Sequence, residues 1–132
     1  PGGGGAPEIA TSCGEIFITM KQSRRGLVEK IDFVTTFGHG VGGPARENMG
    51  LKTKGPTLMV TDLAVWKPDP ETKEFTVETL HPGVTREAVQ ETCGWPVKFS
   101  DGLAVTPEPT ELELTTLRDL QARTKAAHAG AA

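Results

Sequence analysis

No run of apolar residues in this chain approaches the roughly 20 needed to span a membrane, and no signal-peptide pattern opens it. A soluble, cytoplasmic protein with no membrane partner is therefore expected. An excess of basic charge is missing too: 14 Lys and Arg stand against 17 Asp and Glu, a formal net charge of −3. Neutralising the phosphates of a nucleic acid needs a concentrated basic face, so no nucleic-acid partner is expected. Lys21, Arg24 and Arg25 form the one local basic cluster and read as a solvated turn. Cysteine is scarce. Cys13 and Cys93 lack the C-x-x-C spacing of a zinc knuckle or redox motif and fit two reduced, partly buried thiols. His39, His81 and His128 are scattered, so nothing in their spacing calls for a metal, and none is expected.

The chain also has no internal repeat and no linker that would divide it, so its 132 residues read as one domain. Sixteen Gly and ten Pro make it loop-rich, yet leave it below the ~25–30% of a low-complexity chain. It opens without Met, inside what reads as a strand-to-helix loop with no strand before it. The expectation is the later portion of a longer polypeptide.

What is present begins with Pro1-Gly2-Gly3-Gly4-Gly5-Ala6-Pro7-Glu8-Ile9-Ala10. Successive glycines put no Cβ between the backbone and a ligand, and amides converging at a helix start hold an anion, either a phosphate or an acyl oxyanion. A flexible linker is the alternative reading of the same residues. Pro7 to Ser12 then reads as a short helix ended by Gly14, and Glu15 to Met20 as a strand buried on both faces. Leu27 to Thr35 alternates like a second strand. A second glycine-dense loop runs from Gly38 to Pro44, where Gly38, His39 and Gly40 are possible ligand contacts, His39 as a base; a solvated loop histidine is the alternative. It leads into a helical turn at Ala45 to Gly50.

Thr57 to Trp66 is the longest strand expected, joined through Lys67 to Lys73 to a hairpin partner at Glu74 to Leu80. Thr85 reads as the N-cap of a helix stopped by Gly94, with a short extended piece at Trp95 to Phe99. Thr110 and Glu113 have capping-box spacing before a helix with a Leu114, Leu117, Leu120 stripe, expected to fray beyond Lys125.

Several of these segments together resemble the later half of the β subunits of family I CoA-transferases. They are Pro1 to Ala10, Phe33-Val-Thr-Thr-Phe-Gly-His-Gly40, Gly55-Pro56 with the strand ending Val60-Thr-Asp-Leu63, and above all Leu80-His-Pro-Gly-Val-Thr-Arg-Glu-Ala-Val-Gln90 with Thr92-Cys-Gly-Trp95. The 3-oxoadipate CoA-transferase branch is the nearer likeness and the glutaconate branch the more distant. The resemblance runs to about Ala127 and implies an α/β fold, a mixed, largely buried sheet with packed helices. It also implies covalent transfer of CoA from succinyl-CoA to a 3-oxo dicarboxylic acid through a glutamyl-CoA thioester.

By the same resemblance Gly3, Gly4, Gly5 and Ala6 bind the oxyanion and substrate, with the Gly4 amide the best match. Coenzyme A enters as a substrate and not as a prosthetic group, so no cofactor is implied. The implied partners are an N-terminal segment of the same subunit, a CoA-transferase α subunit, and acyl-CoA and carboxylic-acid substrates. Because CoA carries phosphates, Lys21, Arg24 and Arg25 stay in view. The sequence departs from the family at one point. The family's nucleophilic glutamate lies in a Glu-Ser-Gly or Glu-Asn-Gly motif before the glycine loop, and no such motif occurs here. Glu47-Asn48-Met49-Gly50 has Met at the third place and the wrong position in the order, so no catalytic nucleophile is assigned to this chain. An acyl-CoA hydrolase, a C–C bond-cleaving relative, a non-catalytic CoA or phosphate-binding module and a subunit-interface piece are the other readings.

Overall fold

Turns rather than long strands set the architecture. The computed structural model describes residues 3–129. The chain forms α1 (Ala6–Ser12), β1 (Ile16–Met20), α2 (Ala45–Asn48), β2 (Pro56–Thr61), β3 (Ala64–Pro68), β4 (Phe75–Leu80), α3 (Arg86–Glu91), β5 (Lys98–Val105) and α4 (Glu111–Ala129). The strands make one mixed sheet in the order β1-β2-β3-β4-β5. Its centre is antiparallel, with β3 paired to both β2 and β4. Its flanks are parallel, β1 with β2 and β4 with β5. A parallel pair needs a long crossover. The chain between β1 and β2 carries α2, and the chain between β4 and β5 carries α3.

The expected strand from Thr57 to Trp66 is in fact two. The Thr61 hydroxyl accepts hydrogen bonds from the N–H groups of Leu63 (3.1 Å) and Ala64 (3.0 Å), which closes a tight turn and sends β3 back along β2. A threonine hydroxyl competing for backbone donors is a local device that apolar patterning does not reveal. The hairpin with β4 forms as expected, from Pro68 paired with Phe75 to Ala64 paired with Leu80.

Two expectations about the first half are overturned. Leu27 to Thr35 is not a strand. Leu27 is buried and accepts a 2.7 Å hydrogen bond from the Gly94 N–H, but Ile31, Phe33 and Val34 are 56%, 68% and 63% exposed. Alternation alone gives no strand without a partner edge, and β2 occupies the edge of β1 that is paired. β1 itself is not buried on both faces: Phe17 and Thr19 are exposed while Ile16, Ile18 and Met20 are half-buried. As an edge strand it is covered on one face only by the described residues.

The core lies on the other face, where Leu27, Met59, Ala64, Trp66, Val77, Leu80, Val89 and Cys93 pack together. α3 supplies Val89 and ends near the crossing of Gly94 over Leu27. A Cβ at Gly94 would stand 2.6 Å from the Glu29 nitrogen and 2.7 Å from the Leu27 oxygen, so only glycine lets the two backbones meet. α3 is capped as expected, the Thr85 hydroxyl accepting from the Ala88 N–H at 3.2 Å. β5 begins at Lys98 and is longer than the short piece expected at Trp95 to Phe99.

The Thr110–Glu113 capping box forms at the start of α4, the Glu113 carboxylate accepting from both the N–H and the hydroxyl of Thr110 at 2.8 Å. The leucine stripe does not find a core: α4 has no buried residue, and Leu117 and Leu120 are 50% and 52% exposed. Helical backbone continues past Lys125 to Ala129 rather than fraying, while residues 130–132 lie outside the described residues.

Candidate functional site

The glycine stretch begins α1. Pro1 and Gly2 lie outside the described residues. The Ala6 N–H donates to the Gly3 carbonyl at 3.2 Å and the Ile9 N–H to that of Gly5 at 3.1 Å, with Pro7 in the first turn. Gly3 is packed: a Cβ there would meet Pro7 Cγ and the Thr35 oxygen, each at 3.1 Å. Gly4 has φ +56° and no atom within 4 Å of where a Cβ would stand. Gly4, Gly5 and Ala6 are exposed. The loop therefore combines a fixed base at Gly3 with an open backbone at Gly4 and Gly5.

The C-terminal end of α1 leads to a different feature. Arg46 of α2 is 6% exposed, and its guanidinium gathers three pieces of chain. Nη1 donates to the Gly38 oxygen at 2.7 Å, Nε to the Thr53 oxygen at 3.1 Å, and Nη2 to the Thr53 hydroxyl at 2.6 Å and, at 3.4 Å, to the Ala10 oxygen of α1. The Thr53 hydroxyl in turn donates to the Thr11 oxygen at 2.9 Å. Gly55 makes room for this arrangement, because a Cβ there would stand 2.9 Å from Arg46 Cζ. Arg46 also faces the Phe37 ring, 5.9 Å from its centroid. Every hydrogen-bond acceptor is neutral, and no carboxylate pairs with Arg46 among the described residues.

Beside Arg46 opens a cleft of about 710 Å³ whose lining includes His39, Glu47, Lys52, Lys54 and Lys73. His39 is not a solvated loop residue: its Nε2 lies 2.6 Å from the Pro56 oxygen. A carbonyl only accepts, so Nε2 carries the proton and the neutral ring keeps its Nδ1 lone pair. Gly38 serves through its carbonyl. Gly40 sits against Phe37, where a Cβ would come within 2.8 Å of the ring.

The two groups of expected site residues are thus held apart. Gly3 touches the 28–35 segment at the N-terminal end of α1, whereas Gly38 is tied through Arg46 and Thr53 to the other end. Seven helical residues separate those ends by about 10 Å. Arg46 and the cleft lysines are absent from the sequence-derived site. Lys52 and Lys54, two residues apart, carried the one local signal; Arg46 and Lys73 join them only through the tertiary fold. Lys21, Arg24 and Arg25 are exposed at the 23–26 turn, outside the cleft lining.

The Leu80-His-Pro-Gly run has a structural part. His81 Nε2 donates to the Thr61 oxygen at the end of β2, at 2.9 Å, again because a carbonyl only accepts. Nδ1 then accepts from the Thr106 hydroxyl at 2.9 Å, and Thr106 accepts from Thr79 at 2.6 Å. Buried Gln22 extends the stitching: it accepts from the Thr61 hydroxyl at 2.9 Å and donates to the Val89 oxygen and the Thr92 hydroxyl of the α3 region. The ends of β2, β4 and β5 are joined by side chains whose polar atoms are paired.

Shifted ionisations lie away from the cleft. The Asp69 carboxyl is lowered, first by the Thr72 N–H, then by its hydroxyl and the Glu71 N–H, in the turn between β3 and β4. The Lys98 ammonium is raised, chiefly by its hydrogen bond to Glu74. Burial pushes the Cys93 thiol up. Among the described residues no group of three or more His, Cys, Asp or Glu is placed to hold a metal ion, and no helix is long and apolar enough to cross a membrane.

Comparison with known proteins gives a consistent result. The coenzyme A transferase family model matches residues 1–92. The chain is 52% identical over 128 residues to the β subunit of 3-oxoadipate CoA-transferase of Pseudomonas knackmussii, covering 97% of this chain and 49% of that protein. It is 36% identical over 115 residues to the β subunit of glutaconate CoA-transferase of Acidaminococcus fermentans, covering 86% of this chain and 43% of that one. The crystal structure of glutaconate coenzyme A-transferase from A. fermentans matches with a TM-score of 0.77 at 32% identity, over 89% of this chain and 45% of that one. Rhodococcus jostii RHA1 IpdAB matches with a TM-score of 0.76 at 27% identity, over 89% and 46%. The chain spans about half the length of the curated relatives it matches.

Proposed function

This chain belongs to the coenzyme A transferase family, and from that membership we propose that it is the later part of a single β-subunit domain of a cytoplasmic enzyme that passes CoA from succinyl-CoA to a 3-oxo dicarboxylic acid such as 3-oxoadipate. The observation that carries the reading is the 52% identity to the 3-oxoadipate CoA-transferase β subunit across 97% of the chain. The proposed partners are further β-subunit sequence and an α subunit. Apolar side chains left exposed, Phe17, Phe33 and Val34 among them, suit surfaces that more protein covers.

The chemistry is a double displacement. A glutamate carboxylate, supplied from outside these 132 residues, attacks the succinyl thioester and releases CoA thiolate. The thiolate attacks the glutamyl carbonyl of the resulting anhydride, giving glutamyl-CoA and free succinate. The acceptor carboxylate then attacks the glutamyl thioester, and the thiolate released attacks the acceptor's acyl carbonyl, restoring the glutamate. Each attack puts negative charge on a carbonyl oxygen. In this reading the Gly3–Ala6 loop meets that oxyanion, with the Gly4 N–H as donor, a contribution of about 3 kcal/mol. Its support is the open backbone at Gly4, with no atom within 4 Å of a Cβ position.

The test uses the complete β subunit assembled with its α subunit, given succinyl-CoA and 3-oxoadipate. Ping-pong transfer is expected, with Gly4→Ala lowering kcat by about 100-fold. Thioester loss without transfer would overturn the transfer reading. A Gly4→Ala enzyme with intact kcat would overturn the oxyanion role alone.

A further inference from the structure

The proposed reaction leaves the cleft at the C-terminal end of α1 without a part. We propose that this cleft holds the phosphate-bearing nucleotide end of the CoA thioester, an assignment that rests on the CoA-transfer reading above. The first ground is charge. Arg46, Lys52, Lys54 and Lys73 face the cleft against a single acid, Glu47, a formal +3 in a chain whose net charge is −3. Low-dielectric walls concentrate such a field and draw an anion toward it.

The second ground is Arg46 itself. Its buried guanidinium has its hydrogen bonds satisfied by neutral oxygens but has no counter-ion among the described residues. A buried charge without an opposite partner is costly, and a bound anion nearby offsets that cost. Lys54 has only an exposed 3.5 Å contact with Glu15, and the Lys73 ammonium only the Pro70 carbonyl at 2.8 Å, so both are available to a stronger anion. Lys73 is also the one non-glycine residue with positive φ among those described, at 64°. Such strain in a cleft wall accords with a ligand contact.

The third ground is size and shape. About 710 Å³ lies within the usual range for ligand sites and far exceeds what a small dicarboxylic acid fills. Leu51, Pro56 and Pro68 add apolar surface to the lining, suited to a purine face. The exposed Lys21, Arg24 and Arg25 turn has charge but no such enclosure.

The experiment uses the assembled enzyme and 3′-phospho-ADP, the nucleotide end of coenzyme A without its thiol arm, in titration calorimetry. Lys52→Ala with Lys73→Ala is expected to weaken its binding by about tenfold or more and to raise KM for acyl-CoA similarly. With acyl-pantetheine, which lacks the nucleotide, KM and kcat should match wild type. Arginine at both positions should restore nucleotide binding, and Arg118→Ala on exposed α4 should leave it unchanged. No binding of 3′-phospho-ADP to wild type, equal binding to the double variant, or an equal loss with acyl-pantetheine overturns the proposal. Lysine-dependent nucleotide binding by an enzyme that transfers no CoA upholds the cleft and overturns the proposed reaction instead.

Discussion

Arg46→Met removes the guanidinium while keeping most of the side chain's bulk. The variant strips a 2.7 Å partner from the Gly38 carbonyl, a 3.1 Å partner from that of Thr53, and a 2.6 Å partner from the Thr53 hydroxyl. The 3.4 Å contact to Ala10 is too long to add much. Each lost bond to a charged donor is worth about 1–2 kcal/mol where the acceptor is only part-buried and water replaces some of the loss. Relief of a buried, unpaired charge works the other way. The net expectation is a loss of about 3 kcal/mol, a large share of the ~5–15 kcal/mol that holds a domain folded. Arg46→Lys should lose about 2 kcal/mol, since one ammonium reaches only some of these oxygens. Urea unfolding followed by circular dichroism measures both, and with a slope near 1.5 kcal/mol/M the midpoint should fall by about 2 M for Met. A loss below about 1 kcal/mol, or a lysine variant as stable as wild type, would mean that water serves these carbonyls as well as Arg46 does, and the hub argument would fail.

Gly94→Ala should cost about 2–3 kcal/mol in the same assay, because its Cβ would stand 2.6 Å from backbone at Glu29 and neither chain can step aside without breaking the Gly94–Leu27 hydrogen bond. A stable Gly94→Ala would show that the 27–29 segment shifts freely. For the cysteines, an Ellman titration of the native protein should count one reactive thiol, the exposed Cys13, and two in denaturant, since Cys93 is fully buried and its thiol pushed up. Two fast thiols in native buffer would contradict the packing of α3. The Glu113 carboxyl is lowered from its ordinary 4.5, chiefly by the Thr110 N–H, then by its hydroxyl. The cap is therefore complete above pH 4.5 and is lost as pH falls through the lowered value. The Thr110 amide resonance should titrate with a midpoint below 4.5; one at or above it would remove the cap's charge from the account.

Where the sequence read correctly, the determinant was local. Pro7 in a first turn, the Thr85 hydroxyl three residues before Ala88, and the Thr110–Glu113 box each act within one turn of helix, so spacing alone reports them. The mixed sheet with packed helices followed from family resemblance. The β3–β4 hairpin followed from the turn-forming residues between Lys67 and Lys73.

Where it read wrongly, the deciding partner was distant or the competing device was a single side chain. Leu27 to Thr35 alternates like a strand, but a strand exists only where an edge accepts it, and that depends on where β2 lies. The leucines of α4 make a stripe without any surface among the described residues to pack on. Thr61 splits a strand with one hydroxyl.

The candidate site divides in the same way. The sequence by itself determined the glycine loop, because backbone freedom is written residue by residue. Only the tertiary structure decided that Gly38 and His39 belong to a separate cleft, that His81 is a stitch between strand ends, and that Arg46 gathers Lys52, Lys54 and Lys73 around one concavity. Charge and hydrogen bonding act through space over a few ångströms, and which residues come that close is fixed by the sheet and its crossovers rather than by their order in the chain.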